Sequence, residues 1–220
     1  MSAATLAGDS RNGRAAPGTR AAGAPPGNLR PDLSLIADWI GADVRVLDLG
    51  CGDGELLAYL RDARACRGYG VEIADAHVHV CVQRGVNVIQ ADLESGLRMF
   101  ADRMFDAVVL SQTLQAMHKT EEILREMARV GRQGIVSFPN FGHWRHLLAL
   151  LGGRMPVSPQ MPYQWYDTPN IHLCTPNDFE ILAAKLGFVI TRRALLAENH
   201  PVKWLPSVRA TLAVYQFEVR

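Results

Sequence analysis

The chain has 220 residues, 48% of them hydrophobic, which suits one domain with a sizeable core. With 23 Lys and Arg against 22 Asp and Glu the formal net charge is +1, so no global field favours a nucleic acid or an anionic membrane as partner. Apolar runs such as "LLALL" at 147–151 fall far short of the roughly 20 residues that span a bilayer, and Cys51, Cys66, Cys81 and Cys174 lack CxxC spacing, which predicts reduced thiols in a cytoplasmic protein and no metal site.

Residues 1–28 are rich in Ala, Gly and Pro and almost free of large apolar side chains, so they cannot bury enough surface to offset chain entropy. They are predicted to be a disordered tail before a single domain at 29–220. "PDLSLIADWIG" (31–41) opens on proline and aspartate and spaces Leu33, Ile36, Trp39 and Ile40 as a helix. "RVLDLG" (45–50) follows as an apolar strand, and "GELLAYLRDA" (54–63) as a helix. A strand at 67–73, a helix at 74–85 and a strand at 86–93 repeat the alternation.

"FDAVVLSQ" (105–112) is a fourth strand whose continuous apolar centre predicts burial on both faces. "KTEEILREMARVG" (119–131) reads as an amphipathic helix with Thr120 as its N-cap and Gly131 as its C-cap. A strand at 133–140 and a helix at 141–153 come next. Then comes the aromatic, proline-stiffened loop "PYQWYDTPNIHLCT" (162–175). A helix begins at Thr175-Pro176, and strands at 188–197 and 211–219 finish the chain. Strands alternating with helices predict an α/β fold with three layers. The expectation is a Rossmann-like, mostly parallel seven-stranded sheet with helices on both faces.

The densest chemical signal is "VLDLGCGDGE". A strand carries Asp48, and Gly50, Gly52 and Gly54 follow before a helix begins. Glycine lets backbone approach a ligand closely and adopt positive φ, and the helix start offers free N–H groups. A dinucleotide fingerprint would place its third glycine at position 55, which is Glu55, a poor neighbour for a pyrophosphate. Even G-x-G-x-G spacing after an acid favours a ligand with a cationic end, such as S-adenosylmethionine.

Glu72 ends the second strand about twenty residues on, where an acid reaches ribose hydroxyls in α/β nucleotide sites. Asp92 ends the third strand, and Ser111-Gln112 the fourth. All would lie on the carboxyl edge of the sheet, where such folds bind ligands. The predicted cofactor set is therefore Asp48, Gly50, Cys51, Gly52, Gly54, Glu72, Ile73, Asp92, Leu93 and Gln112.

"VLDLGCGDG", "GVEI", "ADL" and "FDAVVLSQ" together resemble the class I S-adenosylmethionine-dependent methyltransferases. "RGVNVIQADLESGL", "FDAVVLSQTLQA", "REMARVGRQGIVSFPNFGHWR", "GRMPVS" and the 162–175 loop resemble, more narrowly, the MetW family of methionine biosynthesis. The resemblance carries Asp48, Gly50, Gly52, Gly54, Glu72 and Asp92 over as S-adenosylmethionine or S-adenosylhomocysteine positions. It implies association with, and activation of, a MetX-type homoserine O-acyltransferase, and it supplies no catalytic residue. His118 is a candidate base, though it reads more readily as an exposed helix-start histidine.

Three functions follow: a cofactor-binding activator, a small-molecule methyltransferase with the loop as acceptor lid, or a scaffold with a vestigial pocket. Tyr and Trp dominate interface hot spots. Asn140, His143, Trp144, Tyr163, Trp165, Tyr166 and His172 are therefore predicted to form the partner or substrate surface.

Overall fold

The computed structural model describes residues 29–198 and 200–219. The predicted tail at 1–28 lies outside them. Seven helices and eight strands are arranged among these residues as a single sheet covered on both faces. The first half alternates as far as β3: α1 (Pro31–Trp39), β1 (Arg45–Leu49), α2 (Glu55–Arg64), β2 (Arg67–Glu72), α3 (Asp75–Gln83) and β3 (Val88–Gln90), with only a 3-10 turn before β4 (Phe105–Ser111). The second half runs α4 (Thr120–Val130), β5 (Gly131–Pro139), α5 (Trp144–Leu151), α6 (Pro176–Lys185), β6 (Phe188–Ala197), β7 (His200–Pro201), α7 (Pro206–Arg209) and β8 (Leu212–Val219).

The sheet order is β3-β2-β1-β4-β5-β8-β6-β7. Strands β1 to β5 are parallel, and β8 enters antiparallel between β5 and β6. The predicted mostly parallel, Rossmann-like sheet is what forms. Its eighth strand, β7, is a two-residue edge pairing with Leu196 and Ala197, too short to leave an alternation in the sequence. Strand order reverses between β1 and β4, and the crevice at that switch opens at the carboxyl ends of the strands.

Alternate residues of each buried strand serve opposite faces. Leu47, Val108, Leu110, Val136 and Phe138 join a core with Ile123, Leu124 and Met127 of α4 and Phe179 of α6. Val46, Ala107, Val109 and Ile135 join the other, with Ile36 of α1 and Leu56, Leu57 and Leu60 of α2. Period-2 strands between helices on both sides are the three predicted layers.

Local chemistry sets the helix ends. Thr175 and Asp178 form a capping box at α6: each side chain satisfies the other's backbone N–H, at 3.0 and 3.3 Å. At α4 the predicted Thr120 N-cap is displaced by one residue. Lys119 occupies the cap position, and the Thr120 hydroxyl donates to the Met117 carbonyl at 3.2 Å. Glu121 and Glu122 still place negative charge at the positive end of the helix dipole. No helix among the described residues is long and apolar enough to cross a membrane.

Candidate functional site

The turn after β1 has the backbone its glycines predict. Gly50, Gly52 and Gly54 have φ of 67°, 52° and 72°. A Cβ on Gly50 would sit 2.7 Å from Thr113 Oγ1, so that position is closed by contact as well as by φ. Among the described residues, nothing beyond its chain neighbours lies within 4 Å of a Cβ built on Gly52, which faces open space. The turn is fastened to β2. The N–H groups of Gly50 and Cys51 donate to the Val71 carbonyl at 2.8 and 3.2 Å, and Gly52 N–H donates to Glu72 Oε2 at 2.9 Å. Glu72 Oε1 accepts from the N–H groups of Ile73 and Ala74 at 2.9 and 3.0 Å. The Glu72 carboxylate thus braces the turn and retains lone pairs for a ligand hydroxyl.

Asp48 is 3% exposed, yet its carboxylate accepts no hydrogen bond among the described residues. Burial pushes its carboxyl up to about 7; Arg30 opposes that shift and the charges of Glu72 and Asp32 add to it. A buried, unpaired acid beside an open glycine gains most from a cationic ligand. The chemistry of the donor set therefore fits a sulfonium-bearing amino-acid cofactor.

The other predicted cofactor positions line the same edge in different states. Asp92 is exposed and caps the short 3-10 turn Leu93–Ser95, accepting from Glu94 N–H at 2.9 Å. Ile73 is exposed and Leu93 half-buried. Cys51 is half-buried with its sulfur 3.9 Å from that of Cys81, and burial pushes both thiols up, away from the reactive thiolate. Gln112 has φ of 49°, a left-handed backbone rare for a non-glycine residue.

Sequence reasoning missed Asp32. This buried acid in the first turn of α1 gathers four donors on Oδ2: the hydroxyls of Ser111 (2.8 Å) and Ser137 (3.1 Å), the Gln112 amide (3.0 Å) and the Arg30 guanidinium (3.4 Å). Its signal, Pro-Asp ahead of an apolar period, equally describes an ordinary helix start. Only the fold carries α1 to the ends of β4 and β5.

The predicted partner surface divides. Asn140 is a correction: fully buried, it donates to the carbonyls of Ser207 and Ala210, each at 2.8 Å, and accepts from Gly142 N–H at 2.9 Å. It locks β5 to α7 and has nothing left for a partner. His143 is also corrected, since its side chain is buried where two open clefts beside α5 meet. Trp144, Tyr163, Trp165, Tyr166 and His172 are exposed. Trp165 and Tyr166 stand edge to face, ring centroids 5.7 Å apart.

The N–H groups of Ile171 and His172 donate to the Gln115 carbonyl at 2.8 and 3.0 Å, and Phe141 N–H donates to the Cys174 carbonyl at 3.1 Å. These bonds tie the loop to the segments following β4 and β5. His118 lines a groove with His172 and Cys174, separate from the glycine turn. Among the described residues, no group of three or more His, Cys, Asp or Glu stands where it could hold a metal ion.

Comparison with known proteins matches this edge and its loops to one family. The family model "Methionine biosynthesis protein MetW" matches residues 30–217. A bifunctional methionine biosynthesis protein MetXA/MetW from Rhodopirellula baltica is 41% identical over 173 residues, 74% of this chain and 28% of that protein. The chain therefore spans little more than a quarter of that relative. Among solved structures, a TehB-like SAM-dependent methyltransferase from Corynebacterium glutamicum has a TM-score of 0.61 at 15% identity, covering 88% of this chain and 89% of its own. A SAM-dependent methyltransferase from Archaeoglobus fulgidus has a TM-score of 0.61 at 17% identity, covering 84% and 93%. The structural likeness establishes the methyltransferase-type fold, and the sequence match establishes that the chain belongs to the MetW family of methionine biosynthesis proteins.

Proposed function

We propose that this chain is a cytoplasmic S-adenosylmethionine-binding domain, residues 29–220, that docks on a MetX-type homoserine O-acyltransferase and activates it. The observation that carries this reading is the fused relative, in which a MetW-like part shares one polypeptide with a part named MetXA. Fusion makes association intramolecular and raises the effective concentration of one part beside the other. Where the two parts are on separate chains, a surface must supply that affinity. The exposed rings of Trp144, Tyr163, Trp165 and Tyr166, with His172, are the side chains suited to it.

In the cofactor cleft, Asp48 would take the cationic end, Glu72 the ribose hydroxyls, and Asp92 the adenine side. Gly52 would leave room for close approach, with Cys51, Ile73, Leu93 and Gln112 as walls. When bound, S-adenosylmethionine supplies an activated methyl group. In this reading the chain uses the molecule as a signal rather than as a methyl donor. Regulation then requires a coupling free energy between cleft and docking surface. The segment after β4 offers a physical route, since Gln112 and Gln115 join the cleft edge to the loop: the Gln115 amide donates to the Gln112 carbonyl at 2.7 Å.

The test is co-purification with the acyltransferase, then its acyl-transfer assay with and without this chain and with and without cofactor. Rate enhancement that needs this chain supports the proposal. An acyltransferase indifferent to the chain sinks it, and methyl label appearing in a discrete metabolite would make the chain a methyltransferase instead.

A further inference from the structure

Across Gln112 from the glycine turn, a cavity of about 480 Å³ opens between the start of α1, the helix α5 and the segment at 154–160. Two imidazoles line it, His143 at 8% and His146 at 4% exposure, with ring centroids 5.5 Å apart. Their hydrogen bonds fix opposite tautomers. His146 Nδ1 lies 3.2 Å from the Phe141 carbonyl oxygen, which can only accept, so Nδ1 carries the proton and Nε2 presents a lone pair. His143 Nδ1 accepts from Arg145 backbone N–H at 3.4 Å, so its proton resides on Nε2. Burial holds both rings below the usual imidazole range, and therefore neutral near pH 7. Neither Nε2 has a partner among the described residues. One donor and one acceptor, on two largely buried side chains, match a single ligand hydroxyl.

Charge is arranged around this pair in both signs. Arg145 and Arg154 both border the cavity, Arg145 with its guanidinium carbon 5.2 Å from the centroid of the Trp144 ring, and neither forms an ion pair among the described residues. Glu198 lines it from the turn after β6, while Asp32 is already saturated on Oδ2 by its four donors. Met155, Val157 and Leu196 add apolar wall. Such a lining suits a small zwitterion better than a simple anion, because an anion would leave Glu198 facing it.

We propose that this cavity binds a small α-amino acid bearing a side-chain hydroxyl. Arg145 and Arg154 take its carboxylate, Glu198 its ammonium group, and the His143–His146 pair its hydroxyl. The proposal does not depend on docking to an acyltransferase. Its residues are distinct from the glycine turn and the exposed aromatic loop, and only Gln112 borders both ligand sites.

The experiment is a titration of the ¹⁵N-labelled full chain with L-homoserine, followed through the histidine ring signals, with sodium chloride matched throughout. L-2-aminobutyrate keeps the skeleton and lacks the hydroxyl; 4-hydroxybutyrate lacks the ammonium group. The expected result is saturable movement of the His143 and His146 signals with that of His118 unmoved. Each truncated probe, and the Arg154→Gln variant with the intact probe, should bind at least tenfold more weakly. Arg154 is exposed and unpaired among the described residues, so its replacement should leave the fold intact; an unchanged melting temperature checks this. No saturable movement, equal binding of 2-aminobutyrate, or unchanged affinity in Arg154→Gln would each overturn the assignment.

Discussion

Replacing Asp48 by Asn separates what the glycine-turn acid does for the fold from what it does for a ligand. Burial raises its carboxyl from 3.8 to about 7 in the folded chain. Between those values the folded protein holds the proton while the unfolded chain has lost it. Stability therefore falls as pH rises through that window, and the whole cost is present above about pH 7. A shift of about three units at ~1.4 kcal/mol each amounts to about 4 kcal/mol, an upper figure because local opening lets water relieve the charge. Asp48→Asn keeps the shape and removes the charge.

Urea unfolding at pH 5 and pH 8 should find the variant more stable than the parent at pH 8, by about 2 to 3 kcal/mol more than at pH 5. Cofactor binding should move the opposite way. A cation that needs the ionised carboxylate should bind the parent about tenfold more tightly at pH 8 than at pH 6. The variant should bind weakly and without that pH dependence. Equal stability differences at the two pH values would refute the claim that Asp48 is an uncompensated buried acid. Unchanged cofactor affinity would refute its role in the cleft.

Gly50→Ala forces a side chain into φ of 67° and onto Thr113 Oγ1; a loss of about 1 to 3 kcal/mol in urea melts and of cofactor binding by calorimetry is expected. Trp165→Ala with Tyr166→Ala should leave the fold and the cofactor affinity intact, because these rings are 70% and 71% exposed. The same pair should weaken capture of the acyltransferase about tenfold or more, the scale of an interface hot spot; retained capture would move docking elsewhere. Asn140→Ala should cost about 3 kcal/mol in thermal or urea unfolding, because it strands the carbonyls of Ser207 in α7 and of Ala210 just after it. A near-neutral result would return Asn140 to the surface.

The parts of the fold legible in the sequence are those with a local signature. The glycine turn announces itself because positive φ at positions 50, 52 and 54 can be met cheaply by one residue type. Helix α4 is written in the spacing of Ile123, Leu124, Met127 and Val130. What stayed hidden depends on distance. Asn140 follows a strand and precedes an aromatic cluster, and nothing local reveals that α7, some seventy positions on, supplies its acceptors. His143 caps α5 and His146 lies in its first turn, but which side of α5 is buried is decided by the sheet edge beneath it. The two-residue strand β7 exists only because β6 offers it an edge.

Asp32 shows why this hidden part bears on function. Gln112 adopts a left-handed backbone that costs a side-chain-bearing residue about 1 kcal/mol or more. It is held there from three sides. Its N–H donates to the Ser137 carbonyl at 2.8 Å, its amide to Asp32, and its carbonyl accepts from Gln115. Asp32 in turn is fixed by the packing of Leu33, Ile36 and Ala37 of α1 against the sheet. A displacement of α1 would therefore release Gln112 and alter at one stroke the wall of the cofactor cleft, the wall of the His143–His146 cavity and the anchor of the aromatic loop. In this fold the helix that precedes the first strand, which contributes no residue to the glycine turn, sets the geometry of the edge on which every proposed site depends.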